Sequence, residues 1–265
     1  MKLKIYGGRG TIPFFSKNTL TYGGNTACVR VETEGRTILL DAGTGLGQFA
    51  EEMKDVRPLE CDILISHLHF DHIIGLLNFG RLFDSANKIR IFTKSRSLLP
   101  IGMQVFAPFK PPYWPIELAK LNKAEVLEIK DEIPFFLNEK IKITSFNAQH
   151  PNSTSSFRID ADKSIVYLVD YEIDENKRYD ELLDFCENAD LIILDTSYFP
   201  DDYPPKRGWG HSTYEMGMAL AERCACKKMM FFHFSQDYTD ETLNSLANTL
   251  SDRFLIAREG LEIEI

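Results

Sequence analysis

The chain places three of its six histidines inside six residues, directly behind an aliphatic run, and no other feature limits its fold as sharply. Cys61-Asp62-Ile63-Leu64-Ile65-Ser66 has the apolar character of a buried strand. His67-Leu68-His69-Phe70-Asp71-His72 follows at once, and Ile73–Leu82 then carries a helical pattern. His67 and His69 are two apart and can point the same way, while the adjacent Asp71 and His72 can point at different places. The fold must therefore end a strand on a loop where three imidazoles and a carboxylate meet. Neutral imidazole and carboxylate suit zinc or another first-row divalent metal. A lone histidine is usually a packed structural residue, but three with an aspartate at this spacing point to a shared site.

Strand-like runs recur at Lys2–Tyr6, Ala27–Thr33, Thr37–Asp41, Asp62–Ser66 and Ile89–Thr93. Lys140–Asn147 alternates apolar and polar residues, as a half-buried antiparallel strand should, and Ser155–Ile159, Ser164–Val169, Leu191–Leu194, Lys228–His233 and Leu261–Ile265 follow. Helical patterns fall at Leu46–Lys54, Ile73–Leu82, Tyr179–Glu187, Thr213–Cys224 and Asp240–Leu250, the last behind an N-cap at Thr239. This order predicts an α/β (α+β) architecture of two mainly β sheets face to face, with helices over both outer faces, in a single domain spanning 1–265. The proline- and aromatic-rich stretch from Phe106 to Leu118 stands apart: it reads either as a rigid surface loop or as a lid whose rings stack on a planar substrate.

The remaining histidines each sit at the end or start of a predicted element. His150 leaves the strand ending at Asn147, His211 precedes the helix Thr213–Cys224, and His233 ends Lys228–Phe232. Together they point to one site assembled from strand ends. Asp170 and Asp195 each close a purely aliphatic strand, where a carboxylate is costly to desolvate unless a metal or cation compensates it; capping a turn is the alternative. Asp41, before Ala42-Gly43-Thr44-Gly45, has the same form, and with no histidine near it in sequence it is expected to support ligands rather than to ligate.

Composition narrows the partners. At 44% hydrophobic and 26% charged, the 265 residues have the profile of an ordinary globular protein. The net charge of -9 disfavours a long nucleic acid, whose backbone needs basic residues, but leaves a small substrate held by metal ions open. No segment has the apolar length of a membrane span or a signal peptide. The five cysteines are scattered and odd in number, so a reduced, cytoplasmic setting is expected. Cys224-Ala225-Cys226 reads as small packed residues at a helix end.

Leu40-Asp41-Ala42-Gly43, the H-x-H-x-D-H run and the later isolated His, Asp and His at strand ends resemble the metallo-β-lactamase superfamily over nearly the whole chain. The resemblance implies a four-layer αβ/βα sandwich, the metallo-β-lactamase fold. Gly210-His211-Ser212-Thr213 and Phe232-His233-Phe234-Ser235 are similar to its phosphodiesterase branch, which includes tRNase Z and cyclic phosphodiesterases. Two divalent ions are then implied, zinc first, with manganese or iron as alternatives. One ion would take His67, His69 and His150, the other Asp71, His72 and His233, with Asp170 bridging and Asp195 orienting a catalytic His211. This chain has Val169 and Tyr171 where tRNase Z reads Gly-Asp-Thr, and Leu194-Asp195-Thr196-Ser197 where it reads His-Glu-Ala-Thr, so the two aspartates could exchange roles. A basic tRNA-gripping arm often lies between the fourth histidine and the bridging aspartate; here His150 to Asp170 has no room for one.

The expected chemistry is attack on a small phosphodiester, cyclic ones included, by a hydroxide bridging two metals, with His211 protonating the leaving oxygen or stabilising the transition state. Hydrolysis of lactones, esters or thioesters is the alternative, and a metal-containing binding protein without turnover is the third. Whether a homodimer completes the pocket stays open.

Overall fold

A computed structural model describes residues 1–148, 150–151 and 153–265. The first sheet takes β1 (Lys2–Gly7), β2 (Cys28–Thr33), β3 (Arg36–Leu40), β4 (Glu60–Leu64), β5 (Lys88–Lys94) and β6 (Glu125–Ile129). The second takes β7 (Phe135–Asn138), β8 (Ile141–Asn147), β9 (Ser155–Asp160), β10 (Ser164–Leu168), β11 (Leu191–Asp195), β12 (Lys228–Phe232) and β13 (Phe254–Ile256), while β14 (Glu262–Glu264) returns to the first. Their orders are β14-β1-β2-β3-β4-β5-β6 and β13-β12-β11-β10-β9-β8-β7. Both sheets are mixed: β1 to β3 and β7 to β10 pair antiparallel, whereas β3 to β6 and β10 to β13 pair parallel.

The aliphatic runs explain the layering. In β10, Ile165 and Tyr167 face the first sheet, while Val166 and Leu168 face helices. In β11, Leu191 and Ile193 take the inner side and Ile192 and Leu194 the outer. Strands buried on both faces need apolar residues at every position, which is why these segments do not alternate. Each fully buried branched side chain contributes roughly 1.5–3 kcal/mol. Helices α5 (Tyr179–Cys186), α6 (Tyr214–Arg223) and α7 (Asp240–Ala247) cover the outer face of the second sheet. The first is covered by α1 (Leu46–Glu52), α2 (Phe70–Ile73), α3 (Ile101–Phe106) and α4 (Leu118–Leu121). The four-layer sandwich expected from the sequence is the observed architecture.

Two local expectations change. Ile73–Leu82 is not one helix: α2 is a single turn, followed by 3-10 turns at Ile74–Asn78 and Gly80–Phe83. Gly75 packs so closely on the turn that follows β3 that a Cβ there would stand 2.1 Å from the Gly43 carbonyl oxygen. In the stretch from Phe106 to Leu118, Phe106 and Phe109 are buried in the helix-side core of the first sheet while Tyr113 is exposed, and none of its residues lines the cavity over the histidines. Thr239 does cap α7, accepting from the Thr242 amide at 3.3 Å. Among the described residues no helix is long and apolar enough to cross a membrane.

Candidate metal centre

The carboxyl ends of β3, β4, β10, β11 and β12 open on one rim, and each delivers its side chain there: Asp41, His67, Asp170, Asp195 and His233. Loops leaving parallel strands at their carboxyl ends are the usual place for a site in such sheets. Three of these residues turn the chain in the left-handed region, Asp41 at φ 59°, Asp170 at φ 47° and His233 at φ 64°. Such conformations are costly for residues with a side chain and persist where the surroundings hold them, commonly at functional sites.

All the residues singled out in the sequence converge here. His67, His69, His150 and Asp170 bring one donor atom each within 4.8 Å of one another, and so do Asp71, His72 and His233. Asp170 stands between the two groups. Its Oδ2 lies 3.4 Å from His67 Nε2 and 3.4 Å from His150 Nε2, while its Oδ1 lies 3.3 Å from His72 Nε2 and 3.1 Å from His233 Nε2. Asp71 Oδ2 is 3.2 Å from His72 Nε2 and 3.3 Å from His233 Nε2, and it accepts the Thr11 amide at 2.8 Å.

The outer nitrogens of these imidazoles are held by the protein. His72 Nδ1–H donates to Asp41 Oδ2 at 2.8 Å, and Asp41 also accepts from the Ser66 amide and hydroxyl and from Tyr167. His67 Nδ1 meets Ser66 Oγ at 3.1 Å, His233 Nδ1 meets Ser197 Oγ at 3.0 Å, and His150 Nδ1–H donates to the Gly210 carbonyl at 3.2 Å. With Nδ1 so engaged, each ring turns Nε2 toward Asp170, the orientation that partners on the other ring nitrogen give to a metal-binding histidine. Asp41 thus acts on His72, as its expected supporting role requires.

Divalent metal ions fit this set. Among the described residues, six buried side-chain polar atoms lack a hydrogen-bond partner, and His67 Nε2, His150 Nε2 and Asp170 Oδ1 are three of them. Buried polar atoms without partners are costly, and three converging at one point are what a bound cation accepting their lone pairs would satisfy. Burial, helped by neighbouring His72, pushes the His67 imidazole down to about 3, which keeps it neutral and ready to ligate. Burial works against the charged form of Asp170, but His233, His72 and His67 outweigh it and hold the carboxyl well below its usual range.

His211 and Asp195 form a separate pair beside this centre. His211 Nδ1–H donates to Asp195 Oδ2 at 2.6 Å, and Asp195 Oδ1 accepts from the Ser197 amide and hydroxyl at 2.8 and 2.7 Å. Asp170, Asp195, His211 and His233 also lie close enough to hold an ion. With both Asp195 oxygens already engaged, that grouping is the poorer one. Burial disfavours charging His211, but Asp195 overcomes it and raises the imidazole to about 9. Its ring stacks 5.6 Å from that of His233.

Supporting residues that sequence reading missed share one trait, that their partners are remote in the chain. Glu172 accepts from the Tyr203 hydroxyl and the Gly208 amide on Oε1 (2.6 and 2.7 Å), and from the Gly210 amide on Oε2 (2.9 Å). It thereby fastens the turn whose carbonyl orients His150. The Gly208-Trp209-Gly210 triplet next to His211 was the available signal for that turn. The centre opens into a cavity of about 700 Å³.

Residues 36–234 match the model of the Beta-lactamase superfamily domain. The chain is 24% identical to the ribonuclease Z of Nitrosopumilus maritimus, covering 90% of this chain and 93% of that protein. In structure it is similar to a diphosphatase from the PhnP family, with a TM-score of 0.74 at 18% identity over 100% of this chain and 97% of that one. It is also similar to the short form of human tRNase Z, with a TM-score of 0.69 at 18% identity over 100% and 99% of the two chains. At these identities the structural likeness speaks for the fold.

Proposed function

The chain belongs to the β-lactamase superfamily, and from that premise we propose that it is a metal-dependent hydrolase acting on a small phosphodiester with two divalent ions. His67, His69 and His150 would hold one ion, Asp71, His72 and His233 the other, and Asp170 would reach both. Zinc is the first candidate, and manganese or iron is compatible with the same donors. The reading rests on one observation above all: a single carboxylate faces two imidazole groups through separate oxygens, with the His211–Asp195 pair alongside.

When bound, two such ions supply a nucleophile at neutral pH and neutralise charge on the phosphoryl oxygens. The chain's own residues do the rest. Asp41, Ser66, Ser197 and the Gly210 carbonyl hold the ligand rings in place before substrate arrives, so little reorganisation is left to the reaction. Asp195 keeps His211 charged, so its Nε2–H can donate to a phosphoryl oxygen and pass a proton to the leaving oxygen. Such a transfer is typically worth about 100- to 10,000-fold. A small substrate, rather than RNA, is favoured by the net charge of -9 and by the short stretch from His150 to Asp170, whose described residues form the antiparallel pair β9 and β10.

The test is a substrate panel of bis-p-nitrophenyl phosphate, cyclic nucleotides, a precursor tRNA and lactones, run with metal analysis. Phosphodiester turnover is expected, with His211→Ala retaining metal but losing about 100- to 10,000-fold in rate, and His69→Ala losing metal as well. Preferred turnover of lactones, or full activity in metal-replete His211→Ala, would sink the proposal. Cleavage of the precursor tRNA alone would replace the small substrate by RNA.

A further inference from the structure

The cavity over the metal centre is walled unlike a polyanion site. Beyond the histidines and aspartates, its lining includes Leu68, Phe70, Pro151, Tyr198 and Trp209, and among the described lining residues none is a lysine or arginine. Two nearby cations rest against rings without themselves lining the cavity. Lys206 rests over the Tyr198 ring with its ammonium 4.2 Å from the centroid, and Arg207 stands 5.8 Å over Tyr203. An adjoining recess of about 220 Å³ does contain Lys177, but Glu172 and Asp174 line it too, leaving its balance negative. A substrate with several phosphates would find no lysine or arginine among the described lining residues to neutralise those beyond the reacting one.

Two large rings stand at this mouth in place of charge. Phe70 is 60% exposed although its neighbours His69 and Asp71 turn inward, and Trp209 is 58% exposed. They come from different halves of the sandwich, Phe70 from the first turn after β4 and Trp209 from the loop between β11 and α6. Trp209 meets Tyr198 edge to face at 6.4 Å, and Tyr198 meets His211 edge to face at 5.5 Å. A chain of edge contacts therefore links Trp209 at the cavity mouth to His211 through the largely buried Tyr198. Single exposed rings need no explanation, but two facing one cavity that leads to a metal centre do. At about 700 Å³ the cavity holds a ligand of drug or nucleoside size.

We propose that Phe70 and Trp209 select a phosphodiester of single negative charge carrying a planar aromatic substituent, which packs on these two exposed rings while its phosphoryl group faces the metal centre. This rests on the phosphodiesterase reading above, and the test separates the two. Phenyl methylphosphonate and ethyl methylphosphonate, both monoanions, are titrated into the metal-loaded protein by calorimetry, and phenol or ethanol released by ester cleavage is measured in parallel so that its heat is subtracted from that of binding. Trp209 fluorescence in a Trp114→Phe background reports on the site itself. The phenyl ester should bind about 10-fold more tightly, and Phe70→Ala and Trp209→Ala should each remove about 3-fold of that advantage, as aromatic packing of this kind allows. Metal content and ethyl ester binding should not change in either variant.

Equal binding of the two esters, or a preference that survives the double variant, overturns the proposal. Tighter binding of a nucleoside 3′,5′-bisphosphate than of the phenyl ester overturns the monoanion requirement. An aryl preference in a protein that turns over no phosphodiester would leave the aromatic surface standing and remove the activity assigned to it. Turnover without aryl preference would do the reverse.

Discussion

Gly210 and Gly10 allow the two halves of the metal centre to be disturbed one at a time. Gly210 adopts φ +94°, and a Cβ there would stand 2.1 Å from His150 Nδ1, 2.8 Å from its Cγ and 2.9 Å from Pro151 Cδ. Ordinary carbon contacts begin near 3.4 Å, so the His150 ring must retreat by roughly 1 Å or more, or the turn fastened by Glu172 must open. A ligand bond of about 2 Å does not survive such a shift. The backbone conformation adds a cost of about 1–2 kcal/mol for any residue with a Cβ. Because the same substitution breaks the bond from His150 Nδ1–H to the Gly210 carbonyl, Gly210→Ala should weaken one metal equivalent by about 10- to 100-fold, the usual effect of losing a ligand's support. Gly10→Ala should act on the other: its Cβ would lie 2.5 Å from both Cε1 and Nδ1 of His233. The assay is stepwise metal titration with elemental analysis, alongside a thermal melt to show that each variant is folded. Two equivalents bound with wild-type affinity in Gly210→Ala would refute the assignment of His150 as a ligand held by that turn.

Two further substitutions test the surroundings. Asp41→Asn keeps the shape of a side chain that accepts from Ser66, His72 and Tyr167 but places an amide among those donors, so metal affinity on the His72 side should fall about 10- to 100-fold in the same titration. Asp62 is wholly buried in β4 between Arg36 and Arg90, with Arg36 Nη2 at 2.6 Å and Arg90 Nε at 2.6 Å. Asp62→Ala should cost about 3 kcal/mol in denaturant unfolding, the lower end of the range for breaking a buried pair, since the two guanidinium groups keep 23% and 28% of their exposure. A loss under about 1 kcal/mol would reduce that cluster to an ordinary surface pair.

What the sequence made legible follows from burial. β10, β11 and β12 could be read directly because strands covered on both faces must be apolar throughout, and their ends marked Asp170, Asp195 and His233 as polar residues at the tips of such runs. β6 and β7 went unread: Glu125–Ile129 and Phe135–Asn138 are the terminal strands of their sheets, with one side open, and carry no clear period. The helix expected over Ile73–Leu82 gave way to 3-10 turns because close packing on Gly43 overrides local propensity.

Residue types and strand-end positions, then, were enough to single out the histidines and aspartates and the kind of ion they suit, since ligand chemistry is a property of side chains. Tertiary structure alone decided their relations. It set Asp170 between two imidazole groups and closed Asp195 onto His211. It also aligned Phe70 and Trp209 on one cavity, while Phe106 and Phe109, two rings of the stretch read as surface loop or lid, went into the core. These pairings join residues up to 162 positions apart, as between Asp71 and His233. Distance and direction across such separations are set by how two sheets pack, which no local pattern encodes.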